Sequence, residues 1–158
     1  MIAEERECGP CTACCDGWMT LNVHGTQVRA DHPCPHLSPD GCGSYQSRPA
    51  VCKDFICAWL HSDLNLPDWM KPDNSKAILR RLNNARAIVA VPVGRKIPPR
   101  AFNFLKALCN KERFALLHFE RVKQNGRYTI EIKAQGYAPP GCEQEFRQIQ
   151  DIVKQISM

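Results

Sequence analysis

Nowhere is this sequence apolar for long enough to cross a bilayer, which speaks against a membrane-spanning helix. The opening MIAEERECGP has neither the basic end nor the apolar stretch of a secretory signal, so a reducing, cytoplasmic setting is the expectation. The phosphate-binding glycine loop, the nucleophile elbow and the H-E-x2-H motif are all missing. The carboxylates near the cysteines are not paired in a way that suits acid–base catalysis, and the sequence leans away from an enzyme. Repeats and low-complexity tracts are absent as well. What remains is a chain of 158 residues, 44% hydrophobic, able to bury one core with a small satellite module.

What the chain does have is cysteine. There are ten, and eight of them fall between positions 8 and 57: Cys8, Cys11, Cys14, Cys15, Cys34, Cys42, Cys52 and Cys57. The same segment is broken at short intervals by turn formers, as in CGP, HPCPHLSPDGCGS and RP. It cannot bury enough apolar surface to order itself, so it needs a staple. In a reducing compartment disulfides are rare, and clustered cysteines read first as metal ligands. The competing reading is a set of disulfides or unrelated buried thiols.

The spacing carries chemical information. A C-x2-C turn presents two sulfurs to one tetrahedral zinc, and both Cys8/Cys11 and Cys11/Cys14 have that spacing. A C-x2-C-x2-C run also opens the cluster motif of bacterial ferredoxins, although the fourth cysteine followed by proline is missing here. Cys15 lies directly beside Cys14 instead. Neighbouring side chains diverge on most backbones, so the pair fits two metals, or two edges of one cluster, better than one corner of one ion. Eight sulfurs suffice for two four-sulfur sites or one polynuclear site. Zinc is the first choice and iron or an iron–sulfur cluster stands close behind it. His24, His32 and His36 are substitute ligands in principle. Arg48 and Tyr45 are candidates to hydrogen-bond the thiolates from behind, with Arg29 and Lys53 weaker ones.

The second half of the constellation reads PCPHLSPDGCGSYQSRPAVCKDFIC. Cys8, Cys11, Cys14 and Cys15, followed by Cys34, Leu37 and Cys42 and then Tyr45, Arg48, Pro49, Cys52, Phe55 and Cys57, resemble the signature of the YkgJ-type cysteine-cluster family. That family is described as a zinc- or iron-chelating domain. The resemblance covers roughly residues 8–75 and includes the LPDWMKPD segment. It implies metal chelation through the eight cysteines and says little of biological role. Flagellin lysine methylases carry a similar cysteine pattern, but this chain shows no glycine-rich nucleotide loop, so methyl transfer is not expected.

After residue 75 the composition changes. Residues 1–75 hold five Lys/Arg and ten Asp/Glu, a net charge of −5, whereas residues 76–133 hold fourteen and three, a net +11. Metal-bound cysteines are thiolates, so two zinc sites would lower the formal total of +5 by about four and deepen the contrast. KAILRRL and ARAIVAVPV read as two strands around Asn83-Asn84, and Pro98-Pro99 starts a helix with Ala101, Phe104, Leu105 and Leu108 on its apolar stripe. FALLHFERVKQ and RYTIEIKA flank the hairpin signal Asn125-Gly126, with Tyr128, Ile130 and Ile132 in the alternation of a half-buried strand. A last helix carries Phe146, Ile149, Val153 and Ile156 on one face. The expected fold is α+β: a loop-rich cysteine module over residues 1–75, then a ββαββα domain over 76–158 with a small antiparallel sheet, packed together as one unit.

Three functions of different kinds follow from this. The first is a cysteine-ligated metal protein in which the metal is at least structural. The second is an iron–sulfur redox or electron-transfer component. The third is a metal-stapled module that binds RNA or another acidic partner through Arg80, Arg81, Arg86, Lys123 and Arg127. A fully solvated basic face, or one docked on the acidic module, is the plainer account of the same charges. Cys109 is expected in the core and Cys142 at a helix start.

Overall fold

The computed structural model describes residues 13–19, 21–23, 25–39, 41–43, 45–47, 57–61, 64–82 and 86–156. The first part is made of short pieces. A wide π-type turn, Cys14–Trp18, precedes the hairpin of β1 (Leu21–Val23) and β2 (Thr26–Val28). A second hairpin joins β3 (Leu37–Ser38) to β4 (Gly41–Cys42). Helix α1 (Ala58–His61), a 3-10 turn at Asp68–Met70 and helix α2 (Pro72–Ser75) lead to the sheet. The stretch AVCKDFICAWL, 50–60, reads from sequence as one short helix carrying Cys52 and Cys57; residues 50–56 lie outside the described residues, and Cys57 itself stands just before α1.

Strands β5 (Ala77–Leu82) and β6 (Ala87–Pro92), helix α3 (Pro99–Glu112), strands β7 (Ala115–Gln124) and β8 (Arg127–Tyr137) and helix α4 (Glu143–Ile156) complete the chain. This is the expected α+β fold in the expected ββαββα order, with one correction. The four-stranded sheet, ordered β5-β6-β7-β8, is mixed rather than antiparallel: β6 and β7 run parallel, with Ala87 opposite Ala115 and Ile88 opposite Leu116. The reason is visible in β6 itself. Ala87–Pro92 reads AIVAVP, apolar without alternation, as suits a strand buried on both faces. Helix α3 crosses between β6 and β7, and such a crossover makes the pair parallel. The Asn83-Asn84 turn lies outside the described residues.

Each face of the sheet carries a helix. Leu79, Ile88 and Leu116 face α3 and pack on Ala101, Leu105 and Cys109. Ala87, Val89, Leu117 and Phe119 face the other way and meet Phe146 of α4. Ile149, Val153 and Ile156 share that helix, but their side chains lie outside the described residues. Pro99 occupies the first helical position of α3, where its missing N–H costs nothing. Arg113 closes the helix in the left-handed conformation, its N–H bonded to the Cys109 carbonyl.

LPDWMKPDN, 66–74, with its two prolines reads from sequence as a connecting turn, but it does more than connect. Leu66 and Met70 are fully buried in the α3-side core, and burying each is worth about 1.5–3 kcal/mol. The Asn125-Gly126 hairpin forms as expected, with both residues at positive φ (52° and 77°), which a two-residue turn of this hand demands. The half-buried alternation predicted for β8 is corrected at Ile132, which is 46% exposed because β8 is an edge strand. Ile130 has no described side chain.

Candidate metal centre

The described part of the cysteine constellation centres on the β3–β4 hairpin. Cys34 is buried, and its Sγ accepts the backbone N–H of His36 at 3.4 Å. Pro35 has no N–H, so His36 supplies the first amide after Cys34 that can donate. Leu37 N–H bonds the Cys34 carbonyl at 3.0 Å, and Gly43 N–H bonds the His36 carbonyl at 2.8 Å. Gly41, at φ 116°, permits the turn that sets Cys42 opposite Leu37. The result is a tight knuckle with one sulfur at its start and another on its returning strand. Hydrogen bonds to sulfur are one of the means by which a protein tunes a metal–thiolate centre.

Cys57 is also buried, and Cys34, Cys42 and Cys57 are all thiols rather than disulfide partners. Cys8, Cys11, Cys52 and Arg48 lie outside the described residues. Cys14 and Cys15, which open the Cys14–Trp18 turn, and Tyr45, which opens a 3-10 turn to Ser47, are described for their backbone alone. Among the described residues no three Cys, His, Asp or Glu side chains assemble into a metal-holding group. The donor chemistry of the three described sulfurs, all soft, two of them buried and one already accepting an N–H, fits zinc or iron. Of the imidazoles, His32 is exposed on a two-residue bridge with Arg29, His36 is half-buried and His24 lies outside the described residues.

The turn that carries Cys14 and Cys15 is locked to the sheet. Gly17 stands at φ 97° against the Arg29 carbonyl, in space that a Cβ would occupy. Trp18 then meets Arg121 of β7. The Arg121 guanidinium, with its residue only 7% exposed, donates to the carbonyls of Trp18, Pro92 and Gly94 and lies 5.0 Å from the Trp18 ring centre. Burial pulls its pKa down to about 10, against a smaller opposing effect of Tyr128. Trp18 meets the Tyr128 ring edge to face at 5.4 Å, and the Asp31 carboxylate accepts the Tyr128 N–H at 2.7 Å. Sequence reasoning missed Arg121. Its signal was an arginine at the phase of Ala115, Leu117 and Phe119, the buried face of β7.

The five basic residues proposed for a partner do not converge. Arg80 and Arg81 sit opposite Val89 and Ile88 on β5, and Arg86 precedes β6. Lys123 and Arg127 flank the β7–β8 turn at the other end of the sheet. From Leu116, beside Ile88, to Lys123 is seven residues of strand, or about 23 Å at ~3.3 Å per residue. Arg86 donates to the carbonyls of Glu112 and Arg113 at 2.7 and 3.3 Å, where it caps the C-terminus of α3. Arg81 and Arg86 lie over the Phe114 ring at 5.1 and 5.2 Å, and Lys123 over Tyr128 at 4.7 Å.

Cys109 is fully buried, as a core thiol should be, and burial, aided by the neighbouring Cys142, pushes its pKa up to about 12. Cys142 is buried too, and its carbonyl accepts the Phe146 N–H at the start of α4. No family model matches this chain, and no curated protein or solved structure matches it. Among the described residues, no helix is long and apolar enough to cross a membrane.

Proposed function

We propose that this is a cysteine-ligated metal protein of the YkgJ type, working in a reducing compartment such as the cytoplasm. The observation that carries the reading is the Cys34 knuckle, where a buried sulfur takes a backbone N–H and the hairpin that follows returns Cys42 opposite Leu37. Cys34, Cys42 and Cys57 would hold metal together with Cys8, Cys11, Cys14, Cys15 and Cys52, with Arg48 and Tyr45 behind the sulfurs. Bound zinc would supply a redox-inert staple, and an iron–sulfur cluster would add one-electron chemistry. In either case the thiolates gather a segment too rich in turns to order itself, so metal affinity becomes folding free energy. The split of the basic residues between two ends of the sheet, and the use of Arg86 as a helix cap, favour this reading over an RNA-binding face.

The test is metal and sulfide content per chain, with the visible spectrum, on protein purified without air. We expect stoichiometric zinc without colour, or iron with sulfide and a broad absorption. Cys34→Ser and Cys42→Ser should lower the bound metal. A metal-free protein with its sulfurs paired as disulfides would overturn the proposal.

A further inference from the structure

We infer that β8 is the contact edge of a homodimer, pairing antiparallel with β8 of a second copy about Ala134. The argument begins with β7. The backbone N–H of Arg121 bonds the Arg95 carbonyl, on the side away from β8. Ile132 is the residue opposite Arg121 on β8, so this is a pair without mutual hydrogen bonds, and the N–H and C=O of Ile132 point out of the sheet. By alternation, Ala134 and Gly136 do the same. Tyr128 obeys the same rule farther along, because its N–H reaches out to Asp31 instead of to β7.

The outward row is open only in part. Asp31 covers it at Tyr128, and a register shift of β8 against β7 breaks it between Tyr128 and Ile132. Residues 132–136 remain, five consecutive exposed residues in unbroken register with β7. Ile132 is the one exposed large hydrophobic among the described residues. The opposite edge, β5, is flanked by α1 and α2. A regular, exposed, partly apolar edge is a template for another strand.

The side chains favour a second copy as that strand, and they select its register. Outward-pointing residues must meet outward-pointing residues, which leaves two-fold arrangements centred on each of residues 132–136. Those centred on Gln135 and Gly136 would set Ile132 opposite Ala138 and Pro140, past the end of β8 at Tyr137, and Pro140 has no N–H to give. One centred on Ile132 would carry the irregular segment and the Asp31-capped Tyr128 into the pairing. One centred on Lys133 would set two lysines directly opposite each other, which is destabilising. One centred on Ala134 sets Ile132 opposite Gly136 of the partner and Lys133 opposite Gln135. At Gly136 the Phe146 ring fills the place where a Cβ would stand. Ile132 shares that face with Gly136, since their β7 partners Arg121 and Leu117 are in phase. The exposed isoleucine of each copy would therefore cover the glycine and the Phe146 ring of the other, twice over by symmetry.

The test is sedimentation of the metal-loaded protein under reducing conditions over a wide concentration range. We expect a reversible rise from one chain mass to two. Ala134→Pro removes only an outward N–H at an edge position, and Ile132→Lys sets a charge against Phe146. Each should weaken the dimer at least about tenfold, that is by 1.4 kcal/mol or more. Should Ala134→Pro lose its circular dichroism, Ile132→Lys decides alone. Amide exchange at Ile132, Ala134 and Gly136 should slow as concentration rises. A wild-type chain that stays monomeric throughout, or an Ile132→Lys variant that dimerises like wild type, overturns the inference. Neither result depends on which metal the cysteines hold.

Discussion

Arg121 and Trp18 are 103 positions apart in sequence, yet the guanidinium of one donates to the carbonyl of the other and lies over its ring. The same guanidinium satisfies the carbonyls of Pro92 and Gly94, so one buried side chain ties the cysteine turn, the loop after β6 and β7 together. Arg121→Ala should cost about 3 kcal/mol, because it leaves buried carbonyls without a donor and removes the ring contact. Arg121→Lys should recover less than half of that, since an ammonium cannot reproduce the planar fork. Urea unfolding followed by tryptophan fluorescence measures both.

Gly136→Ala should destabilise the chain by about 1–3 kcal/mol, as overpacking does, because its new methyl and the Phe146 ring need the same space. Shrinking the ring in Gly136→Ala/Phe146→Leu should restore part of the loss. Coupling of that kind between the two positions in thermal unfolding is the readout, and strict additivity would contradict the close approach.

The basic residues should separate into two classes. Arg86→Ala should lower stability by about 1–2 kcal/mol, because it strips two carbonyls at the end of α3 of their donor. Lys123→Ala and Arg127→Ala, on exposed hairpin positions, should stay within about 0.5 kcal/mol of wild type. Equilibrium unfolding of the three single variants checks the division.

Burial lowers the pKa of His118, whose ring meets Phe102 edge to face at 4.9 Å. Its folded value lies below the ordinary 6.5, so the unfolded chain takes up the proton first as the solution is acidified. The stability it contributes is complete above 6.5 and is lost as the pH falls from there through the folded value. Thiolate ligands would lose metal in the same direction, so the informative quantity is a difference. His118→Gln should flatten the pH dependence of stability in that window relative to wild type, without altering its slope at neutral pH.

Much of the domain after residue 75 was legible because its signals are local. Asn125-Gly126 specifies a turn, Pro98-Pro99 a helix start, and the AIVAV run a strand. The parallel pairing of β6 and β7 was not legible, since it depends on which strand α3 returns the chain to. Arg121 was hidden for a related reason. An arginine among apolar neighbours looks like an exception until the carbonyls of Trp18, Pro92 and Gly94 are seen around it. In the cysteine segment the sequence named eight sulfurs by spacing, and the fold adds the hydrogen bond that distinguishes Cys34, which no spacing rule encodes.

The distance along the chain between Trp18 and Arg121 also sets a schedule. On a ribosome adding ~5–20 residues per second, the cysteine turn emerges roughly 5–20 s before the residue that will anchor it. During that interval β7 does not exist, and whatever shape the first sixty residues hold must come from contacts among themselves. Two short hairpins are too small to persist unaided in water. An ion captured by neighbouring sulfurs would act locally and at once, and it would withdraw those sulfurs from oxidants while the remainder of the protein is being made.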